Sequence, residues 1–315
     1  MENSDITEYL RRLADDCVRE KRYDDAVLLY RKLVAMDPSE ESLLLALAWA
    51  YHDGGMRKEA VVSFEQLLAL ELERKVFTGF AFDELVRIFK EERQYERLVE
   101  ICERVVAEQP DDIGFLGDLG DAYLKVGKAG RAVEVFEKMT KMEPDASMFF
   151  CSLGNALVVT GDFDGAEKAY GRAVEIDPSE AGIFYGRLAG VYCEAGHDAL
   201  AEKVFRKCIE YREDEPAYHV SLGDVLVRQG RLNDAELAYE RAIELNRRDA
   251  GAYYNRLGNA LAKENHHLQA TEIFKKAIAV DPRNPFYYVH LADSYSACGL
   301  TDLAGKTRRE AESLK

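Results

Sequence analysis

Small and large apolar residues recur along this chain every 34 residues. Between Pro144 and Pro178 they run Phe150, Leu153-Gly154 and Leu157, then Gly161-Asp162-Phe163, then Ala166, Tyr170 and Ala173. The first group is spaced as one face of a helix and the middle group as a tight turn. The last group marks the face of a second helix, closed by a proline. Pro110 and Pro144 are again 34 residues apart. A fixed period of this size, with one helical hairpin per copy, predicts stacked hairpins that bury their apolar faces against one another.

The pattern predicts nine copies, at residues 7–40, 41–74, 79–112, 113–146, 147–180, 182–215, 216–249, 251–284 and 285–315. They read as a single solenoid behind a leader of residues 1–6. Four extra residues fall at Lys75 to Thr78, and single extra residues fall near Ala181 and Ala250. Small side chains at the Leu-Gly and Ala slots let two helix backbones approach, while large residues fill the neighbouring gaps. The third copy has Val86 and Leu98 in those slots, so its helices are expected to sit further apart. In the ninth copy Arg308 stands where an aromatic is due, and the polar last helix reads as a cap. Ser39, Asp112, Ser179 and Asn284 mark helix starts, the last followed by Pro285 as a first-turn proline.

These slots resemble the tetratricopeptide repeat family, over roughly Thr7 to Leu314. The resemblance implies an all-α, right-handed superhelical solenoid of about nine helix-turn-helix repeats. The first helix of each would line a concave groove and the second would face outward. It also implies a function, because the family mostly binds peptides or partner segments and rarely carries out chemistry. The expected protein is a non-catalytic scaffold or adaptor that holds a peptide or protein segment in its groove. An accessory subunit presenting substrate to a transferase, or to a secretion or assembly apparatus, is the alternative. An RNA-reading helical repeat is a third reading.

Composition bears on these readings unequally. With 47% hydrophobic and 32% charged residues the chain is globular. The net charge of −16 opposes a phosphate backbone, so no nucleic-acid partner is expected. Residues 241–315 carry +3, which leaves −19 on residues 1–240. The six cysteines contain no CxxC pair and read as small reduced hydrophobes. The acidic start lacks the order of a signal peptide, and no apolar run approaches the roughly 20 residues of a membrane span. A cytoplasmic location is therefore expected. Self-association stays open, because stacked ends can pair. No GxxxxGK[ST], GxSxG or HExxH run occurs, and the adjacent His266-His267 pair falls in a turn, so no catalytic, cofactor or metal site is expected.

Residues of the first helices that packing does not use should line the groove. The candidates are Trp49, Phe80, Asn155, Arg187, Arg228, Asn255, Arg256, Asn259 and Lys263. Trp49 is the only tryptophan, a residue type enriched in binding hot spots. Asp83, Glu84, Asp118 and Asp121 make the earlier wall acidic, whereas Arg187, Arg228, Arg256 and Lys263 make the later wall basic. A basic wall with Asn amides suits an acidic segment or a chain-end carboxylate. The Lys, Asn and Arg arrangement by which some family members hold a terminal carboxylate is absent: the corresponding slots hold Cys151, Asn155, Arg187, Ala217 and Ser221.

Overall fold

A computed structural model describes residues 3–314. Among them are eighteen α-helices and two 3-10 turns, with no strand. They divide into two compact units, Met1–Met139 and Thr140–Lys315. Residues 1 and 2 of the expected leader lie outside the described residues, and the first helix begins at Asn3.

The first unit is built from α1 (Asn3–Arg19), α2 (Tyr23–Met36), α3 (Glu41–Asp53), α4 (Arg57–Arg74), α5 (Phe80–Glu91), α6 (Tyr95–Glu108), α7 (Ile113–Lys125) and most of α8 (Ala129–Met142). The second holds α9 (Ser147–Thr160), α10 (Phe163–Ile176), α11 (Ala181–Glu194), α12 (Asp198–Tyr211), α13 (Pro216–Arg228) and α14 (Leu232–Leu245). It continues with α15 (Ala250–Lys263), α16 (His267–Val280), α17 (Pro285–Ala297) and α18 (Thr301–Ser313). Successive pairs are the predicted hairpins.

Within a hairpin the small slot is a matter of atomic contact. A Cβ added at Gly154 would sit 2.6 Å from the Tyr170 ring, and one at Gly258 would sit 2.5 Å from Phe274. These rings are fully buried, each contributing about 1.5–3 kcal/mol of burial. The turns need a residue in the left-handed region. Gly127 and Gly161 supply it at φ 75° and 85°, whereas Lys21, Arg93 and Asn265 occupy the same slot at φ 56–65°. The third hairpin behaves as its side chains dictate: α5 and α6 pack on each other far less than the helices of α3–α4 or α9–α10.

A second regularity joins the helices of a hairpin. The residue in the aromatic slot of the second helix faces the first-helix residue fifteen positions earlier. Tyr30 donates to Asp15 at 2.5 Å, Tyr170 to Asn155 at 2.5 Å, and Tyr239 to Asp224. In the second hairpin the pair is aromatic, Trp49 edge-on to Phe64 at 5.7 Å. In the ninth, Arg308 takes the aromatic's place and reaches Asp293 at 2.9 Å. The residue that breaks the sequence pattern thus keeps the contact.

Two placements differ from expectation. The four extra residues, expected at Lys75 to Thr78, enter the preceding helix. They lengthen α4 to 18 residues against 14 for α2, with Lys75 as a left-handed cap and the loop displaced to 76–79. Ser39 and Ser179 are not helix caps. Their N–H and hydroxyl groups donate to Asp37 and Asp177, which close the preceding helices. Asp112 and Asn284 do cap α7 and α17, accepting from Phe115 N at 3.0 Å and Phe286 N at 3.1 Å. The single extra residues are taken up by the 3-10 turns Pro178–Glu180 and Arg247–Asp249, directly before α11 and α15.

Candidate functional site

In the second unit the first helices α13 and α15 bound a cavity of about 260 Å³. Val227 and Ala260 form apolar wall, and Asp224, Arg228, Arg256, Asn259, Lys263 and Glu264 supply the polar groups. Helical spacing explains the gathering. Residues 256, 259, 260 and 263 lie three or four apart on α15, as 224, 227 and 228 do on α13, so each set shares a face.

The charges are largely spoken for. Arg256 Nε and Nη2 both donate to Asp224 Oδ2, at 3.0 and 2.7 Å, while the Tyr239 hydroxyl donates to the other carboxylate oxygen. Burial, then the Asp224 charge, pushes the Tyr239 phenol far above its ordinary value, so it stays protonated and donates. Arg228 Nε reaches Asp198, the first residue of α12, at 2.8 Å. The side chains of Asn259 and Lys263 make neither hydrogen bond nor ion pair among the described residues. They are the open donors of the cavity, beside the Arg256 guanidinium.

The remaining sequence candidates lie apart from this cavity. Asn255, on α15, meets α17 instead: its Oδ1 is 2.8 Å from Nδ1 of His290, whose pKa burial pushes down. Asn155 is held by Tyr170, and Arg187 Nη1 sits 3.1 Å from the Met148 sulfur. In the first unit Trp49 is half-buried between His52 and Phe64, while Phe80 is 62% exposed at the start of α5. Sequence reasoning did not find the Asp198 partner of Arg228. Its position at the start of a second helix lay outside the first-helix stripe, and only the thirty-residue interval could have signalled it.

A larger cavity of about 800 Å³ lies in the first unit between α2 and α4, over Leu44, Leu47 and Tyr51 of α3. Its walls include Val34, Val62 and Leu70, with Arg31, Lys58, Glu59 and Glu73 spread around them. The smaller cavity is the one that brings sequence candidates together, Arg228, Arg256, Asn259 and Lys263. Among the described residues no cluster of three His, Cys, Asp or Glu side chains is arranged to hold a metal ion. No helix among them is long and apolar enough to cross a membrane.

Helical hairpins of this length, with small residues under an aromatic slot, define a class of repeat protein. Models described as tetratricopeptide or TPR repeats match residues 43–75, 118–181, 151–217, 223–265 and 251–284, together more than half of the chain. The chain belongs to the tetratricopeptide repeat family. A comparison with curated proteins finds no significant match. Similar solved structures include MamA, at 26% identity over 51% of this chain and 94% of that one, with a TM-score of 0.38. YrrB, titled a TPR protein with an unusual peptide-binding site, is 20% identical over 58% of this chain and 94% of its own, at 0.35. The Cut9–Hcn1 assembly of the APC/C matches 98% of this chain and 73% of that one at 15% identity and 0.40.

Proposed function

We propose that this protein is a non-catalytic interaction scaffold that holds an extended protein segment on the first-helix face of α13 and α15. The observation that carries this reading is the pair of open side chains, Asn259 and Lys263, beside Arg256 at a cavity with apolar walls. An amide can both donate to and accept from a peptide backbone, and an ammonium beside a guanidinium favours a carboxylate. The preferred segment is therefore acidic and extended, its small apolar side chains resting on Val227 and Ala260. A surface already shaped before binding lowers the ordering cost of such a ligand.

Fluorescence anisotropy with a labelled peptide of alternating Gly-Asp-Leu-Asp tests this, with Gly-Lys-Leu-Lys as control. The acidic peptide should bind and the basic one should not. Lys263→Ala should weaken the acidic peptide about tenfold, the loss of one charge-assisted contact. Equal binding of the two peptides, or no effect of Lys263→Ala, overturns the reading.

A further inference from the structure

We infer that the aromatic slot of the second helix decides whether an asparagine fifteen residues earlier is offered to a ligand, which makes Phe274 a specificity-determining residue for Asn259. For the cavity of α13 and α15 this rests on the function proposed above.

Asn155 and Asn259 occupy the same first-helix position, fifteen residues before Tyr170 and Phe274 respectively. Asn155 accepts the Tyr170 hydroxyl at 2.5 Å and is thereby consumed inside its hairpin. The Phe274 ring lies where the Tyr170 ring lies: a Cβ on Gly258 would stand 2.5 Å from one, and a Cβ on Gly154 2.6 Å from the other. Both rings are fully buried, so neither can swing aside. The difference is one oxygen atom. Lacking it, Phe274 leaves the Asn259 amide without an internal partner, and that amide borders the cavity. Phe136 and Asp121 repeat the same arrangement in the first unit: a Cβ on Gly120 would stand 2.6 Å from Phe136, and Asp121 receives no hydroxyl. Tyr170 thus withholds Asn155 and Phe274 releases Asn259, whereas the carboxylate of Asp224 keeps its second oxygen for Arg256 even with Tyr239 in the slot.

Two variants of the full chain test the device, each exchanging only a hydroxyl. In protein labelled with 15N-asparagine, Phe274→Tyr should shift the Asn259 side-chain amide signals, and Tyr170→Phe should shift those of Asn155. Phe274→Tyr should also weaken the labelled Gly-Asp-Leu-Asp peptide about tenfold, while Tyr170→Phe leaves it unchanged. An Asn259 amide that does not respond to Phe274→Tyr overturns the inference, as does unchanged peptide affinity in that variant. If the wild-type protein ignores the peptide, the proposed ligand fails, and the amide signals alone decide the device. If Phe274→Tyr does not fold, Tyr170→Phe decides alone, since an Asn155 amide indifferent to the loss of its donor sinks the proposal equally.

Discussion

Glu71 is a carboxylate set among apolar neighbours. It lies in the added last turn of α4, 1% exposed, with one carboxylate oxygen accepting from the Thr78 hydroxyl and the other unpartnered. Burial pushes its carboxyl above the ordinary value, against the lowering effect of the Thr78 hydrogen bonds. An acid whose folded-state pKa is raised costs stability as the pH climbs past its unfolded-state value, and costs nothing when protonated in both states. Glu71→Gln should therefore stabilise the protein at neutral pH by about 1–2 kcal/mol, the gain vanishing below about pH 4. Urea unfolding at both pH values checks this, and an unstabilised variant at neutral pH refutes it. The small slots were legible at this scale because a missing Cβ is written in the sequence. The Tyr170–Asn155 and Tyr239–Asp224 bonds were not, since the residue fifteen positions before the aromatic varies from Asp and Asn to Trp and only its pairing recurs. Arg228 and Arg256 read as open charges until Asp198 and Asp224 were seen holding them.

At the scale of the helix, glycine has two opposite meanings here. Gly223 lies under Tyr239, where a Cβ would approach the ring to 2.5 Å, whereas a Cβ on Gly171 in α10 meets nothing within 4 Å. Gly223→Ala should cost about 1–3 kcal/mol through overpacking. Gly171→Ala should gain about 0.5–1 kcal/mol from helix propensity. Thermal unfolding of the two variants should move in opposite directions, and a common direction would show that ring contact does not govern the slot. Helix ends were legible where a side chain reaches a backbone N–H, as at Asp112 and Asn284. They were misread at Ser39 and Ser179, because an aspartate two residues earlier claims the serine. The extra turn of α4 was misplaced for a related reason: Glu71, Leu72 and Glu73 are good helix formers, and the apolar spacing does not say whether added residues join the helix or the loop.

Across whole units, stability in repeat proteins is close to a sum of hairpin and neighbour terms. The weak packing of α5 on α6 then makes the third hairpin the soft element of the first unit. Amide hydrogen exchange should be fastest there among the interior hairpins of that unit, and protection equal to that of α3 and α4 would contradict it. The 34-residue period made the hairpins legible from end to end.

The two 3-10 turns carry a consequence for engineering. Pro178–Glu180 and Arg247–Asp249 start 69 residues apart and each leads straight into a buried alanine, Ala181 or Ala250. The two hairpins between them form a cassette bracketed by matching joints. Splicing Asp177 to Arg247 rebuilds an acidic residue followed by the same kind of turn, so chain length can be stepped by whole modules at a seam the protein already duplicates.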